Sequence, residues 1–242
     1  MMKRTIFQMM TIMLLGFLAI SCGTTANTAK YAGDDPGSKI ARAYGIQAFD
    51  RLEAVRYTFN VFINGKNIER SWVWEPETGQ VTYKGVGPDG KPMETTYNRK
   101  ESDPYDKKID HWFINDQYWL LFPFHLKWDP DITLSEDGIQ PLPIGSGSAN
   151  RITVAYPPDE GYTPGDAYKL YYGPDYHIKQ WTYHKGGAKE PTRAATWDQH
   201  ASVGPITISL MHRGADETFK LWFTDVAVKP EGGRTWVPAL IY

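Results

Sequence analysis

The sequence VRYTFNVFING at residues 55–65 decides the fold class of this chain. Its apolar side chains recur at every second position, which is the period of a β-strand that buries one face. The Asn-Gly pair at its end is a strong signal for a two-residue hairpin turn, and the segment 66–74 continues the alternation with Trp72 and Trp74 on one parity. These residues therefore predict an antiparallel hairpin with an aromatic buried face.

The rest of the chain predicts two antiparallel meanders on either side of an apolar segment. Helical spacing of apolar residues predicts one N-terminal helix over residues 39–50. Gly45 inside that helix costs about 1 kcal/mol relative to Ala, so we expect another segment to pack closely against it. Further alternating segments, which predict strands, lie at 80–85, 93–98, 151–156, 167–172, 176–184, 192–199, 206–212 and 218–228, with a tail at 236–242.

The run YWLLFPFHLKW at residues 118–128 is the most hydrophobic piece of the chain after its N-terminal segment. A short helix is expected before it, at 105–116, whereas Pro123 bars a regular helix through its centre. So apolar a run is either the plug of a core or a lid over a cavity. The concave face of a curved sheet needs a cover, and the N-terminal helix and this apolar segment can supply it. Together with the alternating segments, this predicts a mainly β fold. Its form is a curved antiparallel sheet, a half-open barrel around the N-terminal helix and this apolar middle segment.

The first 22 residues combine Lys3 and Arg4, an apolar run at 9–20 and small residues before Cys22, which is the pattern of a secretory signal. The segment resembles a bacterial lipoprotein signal, whose cysteine is acylated and becomes the first residue of the mature protein. The predicted division is a signal peptide at 1–21, a lipidated Cys22 with a flexible tether at 22–38, and a single half-open barrel domain at 39–242.

This resemblance implies a membrane anchor and a compartment. Three acyl chains, the usual number in lipoproteins, exceed the single chain that binds membranes only reversibly. Gly23 replaces the aspartate that argues for inner-membrane retention, and the acidic run linked to surface export in some Bacteroidetes is absent. We therefore expect an outer-membrane lipoprotein that faces the periplasm. Cys22 is the only cysteine, so no disulfide is expected.

Composition and motifs argue against several classes of function. A net charge of −2 disfavours a nucleic-acid partner. Zinc-peptidase, serine-hydrolase and phosphate-loop motifs are absent and the six histidines lack metal-ligand spacing, so we predict no catalytic residues, no metal and no cofactor. A site at His111 and His125 is the alternative to packed histidines. The acidic turns at 129–131 and 159–160 are interpreted as solvated rather than calcium-binding. The sequence gives no prediction of oligomeric state.

The closing segment resembles a known family. WDQHASVGP at 197–205, ITISL at 206–210 and FKLWFTDVAV at 219–228 are similar to the late part of the lipoprotein localisation factor (LolA/LolB-like) superfamily. There, a strand is followed by a Gly-(x)-Pro step and by a final strand that ends in an Asp-Val-x-Val type of sequence. The order of helix, meander, apolar segment and second meander is similar too. The resemblance implies a half-open barrel whose apolar concavity holds the acyl chains of a client lipoprotein.

Aromatic residues supply the candidate ligand site. The chain has nine Trp and fifteen Tyr, and 14% of it is aromatic. The candidates for a lipid-binding cavity are Tyr57, Phe59, Trp72, Trp74, Trp112, Phe113, Trp119, Phe122, Phe124 and Trp128. Alternatively, the aromatics fill the barrel interior or form a surface for stacking sugars. The sequence thus predicts non-catalytic binding or transfer of a lipid or acylated ligand, with a glycan-binding or hydrolytic envelope lipoprotein as the alternative.

Overall fold

The computed structural model describes residues 30–101, 107–159, 164–216 and 218–241. The predicted signal peptide at 1–21 and Cys22 lie outside these residues. The fold is mainly β, with 50% strand and 19% helix, as the sequence predicts. In the described part of the chain, no helix is both long and apolar enough to cross a bilayer.

Two antiparallel sheets and a few helices make up the described residues. The helices are α1 (Pro36–Ala43), α2 (Ile46–Phe49) and α3 (Lys107–Trp128), with a 3₁₀ turn at Lys185–Gly187. The strands are β1 (Leu52–Ile63), β2 (Lys66–Glu75), β3 (Gln80–Val86), β4 (Pro92–Asn98), β5 (Thr133–Pro141), β6 (Ser148–Ala155), β7 (Ala167–Tyr172), β8 (Ile178–His184), β9 (Arg193–Thr196), β10 (Asp198–Val203), β11 (Ile206–Arg213), β12 (Phe219–Pro230) and β13 (Val237–Ile241).

The two sheets continue into each other as one curved, barrel-like surface. The larger sheet has the order β11-β10-β13-β12-β1-β2-β3-β4, with β11 also paired to β12, and the smaller has the order β5-β6-β7-β8-β9. β9 leads directly into β10, and the Trp197 amide between them donates to the Lys179 carbonyl of β8 at 2.8 Å. Across the same junction, the Arg213 amide of β11 donates to Oγ1 of Thr196 at 3.0 Å.

α3 occupies the concave side of this surface. The ring of Phe113 lies 5.4 Å from that of Trp72 and 5.8 Å from that of Trp74, both on β2. Further along α3, Leu121 and Phe122 are fully buried. The apolar middle segment is therefore the plug of the core and not a lid, and the predicted cover of the curved sheet is confirmed.

The course of α3 corrects the predicted helix at 105–116. Residues 105 and 106 lie outside the described residues, and the helix continues through Pro123 to Trp128. Proline lacks an amide hydrogen and its ring crowds the preceding turn, which accounts for the non-helical Leu121 (φ −118°, ψ 16°). The predicted irregularity exists, but burial on all sides keeps the two halves together as one kinked helix.

The folded domain begins before the predicted boundary at residue 39. Asp35 caps α1 by accepting from the Ser38 amide at 2.9 Å, and Pro36 occupies the first turn, where its missing amide costs nothing. Tyr31 is 1% exposed and donates to the Asp50 carboxylate at 2.8 Å. Part of the segment 22–38 is thus packed into the domain, because it carries a buried aromatic residue and a helix cap.

The predicted helix at 39–50 is divided at Gly45. Its backbone has φ +89°, and a Cβ there would lie 2.7 Å from the Pro205 carbonyl oxygen. The Tyr44 carbonyl accepts from the Thr207 amide at 3.0 Å, so the division also brings the sheet close. The expected close packing at Gly45 is confirmed.

Three strand predictions need correction. β5 is absent from the sequence-based prediction because its acidic residues and Gly138 have low strand propensity. It is an edge strand with a register shift between Glu136 and Gly138, and charged residues are common on such edges. The predicted strand at 192–199 is two strands divided at Trp197, and most of the predicted tail at 236–242 is β13, which pairs with β10 and β12.

Candidate functional site

Two cavities remain beside α3 within the curved sheet. Cavity I has a volume of about 530 Å³ and lies among the start of β1, the end of β2 and the second half of α3. Cavity II has a volume of about 470 Å³ and lies between α3, the end of β1 and the inner face of the smaller sheet. Both volumes fall in the range of about 300–1,000 Å³ that is usual for sites of small ligands.

Cavity II is mainly apolar. Its walls come from both sheets and from one face of α3, and they carry several polar groups, among them Arg70, Asn115 and Arg193. The apolar and aromatic lining residues are Phe59, Val61, Ile63, Ile68, Ile114, Tyr118, Trp119, Tyr168, Trp181, Tyr183, Phe219 and Leu221. Such a lining can exclude water from an apolar chain and still offer polar groups to one end of it.

Three aromatic rings on β7 and β8 form the wall of cavity II opposite α3. Tyr168 stacks on Trp181 with ring centroids 5.2 Å apart, and on Tyr183 at the same distance. Trp119 of α3 meets Trp181 edge-on at 4.4 Å. The Tyr183 hydroxyl donates to Asp166 at 2.8 Å, which fixes its ring. This wall is therefore rigid and apolar on its cavity side.

Cavity I is more polar. Its lining includes Asp50, Glu77, Arg99, His125 and Asp129 together with aromatic residues. Arg99 pairs with Asp110 at 2.8 Å, and Asp50 pairs with Lys30 at 2.9 Å. The two cavities share Ile114 and Tyr118 in their linings, so these two side chains of α3 form the partition between them.

The ten predicted cavity residues divide into three groups. Phe59 and Trp119 line cavity II, and Trp74 and Trp128 line cavity I. Trp112 is half-buried, with the Lys108 ammonium over its ring at 5.5 Å. The remaining five are at most 1% exposed and fill the interior between sheet and helix: Tyr57, Trp72, Phe113, Phe122 and Phe124.

The sequence-based reasoning missed the aromatic wall of cavity II. Tyr168, Trp181 and Tyr183 were not among the candidates, although the strand at 176–184 places Trp181 and Tyr183 on one parity. That shared parity was a usable signal. The sequence around Arg193 offered no such signal, because only the pairing of β9 with β8 brings Arg193 opposite Tyr183.

A buried ion pair connects α3 to β2. Arg70 donates to the Asp116 carboxylate from Nε at 2.7 Å and from Nη2 at 2.5 Å, and Nε1 of Trp72 donates at 2.9 Å. Burial raises the pKa of Asp116, while the hydrogen bonds from Arg70, Asn115 and Trp72 act in the opposite direction. With its guanidinium engaged by Asp116, Arg70 is a structural residue of the cavity II wall.

A second, partly buried network surrounds Asp129, which the sequence suggested was a solvated turn residue. Its carboxylate accepts from the hydroxyls of Tyr118 at 2.5 Å and Tyr156 at 2.8 Å, and it lies 2.8 Å from Nδ1 of His125. Burial opposes the charged form, but these hydrogen bonds outweigh it and lower the pKa of the Asp129 carboxyl. Asp129 therefore fixes the end of α3 and the Tyr118 part of the partition.

The geometry offers little for metal or histidine chemistry. Among the described residues, no group of three or more His, Cys, Asp or Glu side chains has an arrangement that fits a metal ion. His125 lines cavity I and His111 lines cavity II, so the two histidines of the apolar middle do not form one site. The described residues that line cavity I include no Ser, Thr or Cys nucleophile.

Two solved structures show a distant likeness to this chain. No family model matches the chain, and no curated protein matches it. A DUF1329 family protein from Desulfovibrio piger is similar at a TM-score of 0.46 and 9% identity, over 83% of this chain and 92% of its own. The lipoprotein LppX of Mycobacterium tuberculosis is similar at a TM-score of 0.29 and 11% identity, over 79% of this chain and 96% of its own. These values carry no functional argument, and the relation to lipoprotein localisation factors stays a prediction.

Proposed function

We propose that this protein is a lipoprotein anchored through acylated Cys22 in the outer membrane on its periplasmic side, and that it binds or transfers a lipid or acylated ligand without catalysis. The observation that supports this proposal is cavity II, about 470 Å³ of space walled mainly by apolar and aromatic side chains. An interior filled by α3 alone would leave no room for a ligand. The helix instead contacts both sheets, with the Trp119 ring 4.4 Å from that of Trp181 on β8, and still leaves space between its Ile114–Trp119 face and the walls of cavity II.

The energetics favour an apolar ligand in such a space. Each buried CH₂ group contributes about 0.8 kcal/mol, so an acyl chain gains several kcal/mol by leaving water. The aromatic wall of Tyr168, Trp181 and Tyr183 is already held in place by stacking and by Asp166. A preformed wall lowers the entropic cost of binding.

The first experiment is native mass spectrometry of the full chain carrying Cys22→Ser, which removes the predicted acylation site. We expect co-purified lipid, and we expect Ile63→Trp to reduce its occupancy at least about threefold, because the larger ring takes up space in cavity II. Ile139→Trp is the matched control, since Ile139 is 71% exposed on β5. A protein that carries no lipid and binds no fluorescent fatty acid would contradict the proposal.

The glycan-binding alternative lacks its expected surface. All nine tryptophans lie in the described residues, and each is buried or half-buried. Trp222 lies on β12 and Trp236 directly before β13, with the Lys220 ammonium over the first ring at 4.9 Å and the Arg56 guanidinium over the second at 4.8 Å. A flat exposed row of rings, which stacking of a sugar chain requires, is therefore not formed by them.

The hydrolytic alternative depends on the Asp129–His125 pair in cavity I. An aspartate that orients Nδ1 of a histidine is found in catalytic dyads and triads. Here Nε2 of His125 is buried and has no hydrogen-bond partner in the described part of the chain. Without a nucleophile beside it in the described lining of cavity I, this pair favours a structural role.

A further inference from the structure

Arg193 is the feature of cavity II that binding of a purely apolar ligand leaves unexplained. It is the first residue of β9 and lies opposite Tyr183 of β8 in the sheet register. Its side chain is half-buried and lines cavity II, and its guanidinium carbon lies 4.2 Å from the centre of the Phe219 ring. The cation is therefore held against an aromatic face at the wall of an apolar space.

Arg193 has no anionic partner among the described residues. Four other arginines, by contrast, each form an ion pair with an aspartate: Arg70, Arg99, Arg151 and Arg213. Burial lowers the pKa of Arg193, but an arginine stays charged at neutral pH. A half-buried charge on an apolar wall without a counter-charge is costly, and a bound anion would remove much of that cost.

The other basic groups in the lining of cavity II are already engaged. Arg70 gives two hydrogen bonds to Asp116, and Nδ1 of His111 lies 2.7 Å from the Lys107 carbonyl oxygen. Arg193 is therefore the cation of this described lining that can offer its donors to a ligand. Its planar fork of N–H groups matches a carboxylate or a phosphate in two parallel hydrogen bonds.

We propose that cavity II binds an amphiphile with one long acyl chain and an anionic carboxylate or phosphate head, and that Arg193 binds the head. The chain would lie along Phe59, Trp119 and Trp181, with the head at the β9 side of the cavity. This inference rests on the proposed lipid-binding function and adds to it the charge of the ligand and the residue that recognises it.

The test compares heads on the same chain. Hexadecanoate, hexadecyl phosphate and hexadecanol are titrated into the delipidated full chain carrying Cys22→Ser, with binding followed by tryptophan fluorescence. We expect one or both anions to bind about tenfold more tightly than the alcohol, as a charge-assisted pair of hydrogen bonds provides. Arg193→Gln should abolish that preference and leave the affinity for hexadecanol within about twofold, because the apolar wall is unchanged.

Two variants control for charge and fold. Arg234→Gln makes the same change of charge at an exposed position between β12 and β13 and should keep the preference for anions. Arg193→Lys keeps the charge but lacks the planar fork of N–H groups, so it should retain part of the preference for anions. The anion that binds more tightly identifies whether the head is carboxylate-like or phosphate-like.

The outcomes separate the two proposals. If none of the three amphiphiles binds, the lipid-binding function itself fails. If the alcohol binds as tightly as both anions, or if Arg193→Gln keeps the preference for anions, the headgroup inference fails while lipid binding stands. Equal loss of all three ligands in Arg193→Gln, with an unchanged circular dichroism spectrum, also overturns the inference, because the arginine would then act on the apolar wall.

Discussion

Asp116 shows how strongly one residue connects the helix to the sheet. It is fully buried and holds Arg70 by two hydrogen bonds, so Asp116→Asn leaves a guanidinium with little exposure and no counter-charge. We expect a loss of about 3–5 kcal/mol in the free energy of unfolding, measured by urea denaturation. Glu94→Gln is the matched control, because the Lys84–Glu94 pair is exposed at 3.9 Å, and its loss should cost less than about 1 kcal/mol. Similar losses for both variants would contradict this view of Asp116.

His212 makes stability depend on pH at the same scale. It is fully buried, with Nδ1 3.1 Å from the Thr196 carbonyl oxygen, and burial lowers its pKa from 6.5 to about 3. Between these values the unfolded chain takes up a proton that the folded protein does not, so stability falls as the pH falls. By pH 4 the loss should be on the order of 3 kcal/mol.

The variant His212→Gln isolates this contribution. Its free energy of unfolding should be lower at pH 7 but should fall less between pH 7 and pH 4 than that of the wild type. Carboxylates and His200 titrate in both proteins, so the difference between the two pH dependences reports His212 together with its electrostatic interaction with His200. If urea denaturation shows that the free energy of unfolding falls equally between pH 7 and pH 4 in both proteins, His212 is protonated without cost.

At the scale of elements, Gly45 sets how α1 and α2 meet the sheet. Gly45→Ala adds the strain of a positive φ of +89° and a contact of 2.7 Å with the Pro205 backbone, which cannot move freely. We expect a loss of about 2–4 kcal/mol in thermal or urea denaturation. Gly90→Ala separates the two causes, since Gly90 has φ +82° and open space around it, and should cost only about 1 kcal/mol. If the two variants are equally stable, the close contact contributes nothing.

At the scale of the whole molecule, both sheets contribute to cavity II, so a ligand there stabilises their association with α3. Ligand at 100 times its dissociation constant should raise the free energy of unfolding by about 2.7 kcal/mol. For a chain of this size that is a rise in Tm of roughly 5–10 °C, which differential scanning fluorimetry measures. A long-chain amphiphile should produce the shift and a soluble oligosaccharide should not. The opposite result would favour the glycan-binding alternative.

The sequence allowed much of the architecture to be predicted because strand signals are local. The alternation at 55–63 and the following Asn-Gly turn predict the β1–β2 hairpin, and β7 has the predicted bounds of 167–172. β5 was not predicted because an edge strand can be acidic. The length of α3 was not predicted because its buried environment overrides the effect of Pro123. Local propensity is weak wherever tertiary packing supplies the larger free energy.

The candidate site was harder to predict than the fold. Tyr57, Trp72 and Phe59 are all aromatic residues at alternating positions of predicted strands. Tyr57 and Trp72 are nonetheless buried in the core, whereas Phe59 borders a cavity. Asp129 has the appearance of a turn residue and is the centre of a partly buried hydrogen-bond network. Burial depends on what lies opposite a side chain, and a single sequence does not give that distance.

By itself, the sequence determined the mainly β class, the first meander and the aromatic face that α3 covers, because periodicity and turn residues act within a few positions of the chain. Only the tertiary structure decided that space remains beside α3, which rings border it, and that Arg193 faces it without an anionic partner in the described residues. The reason is physical: a cavity is the volume that packing leaves between distant segments, and no short stretch of sequence encodes it.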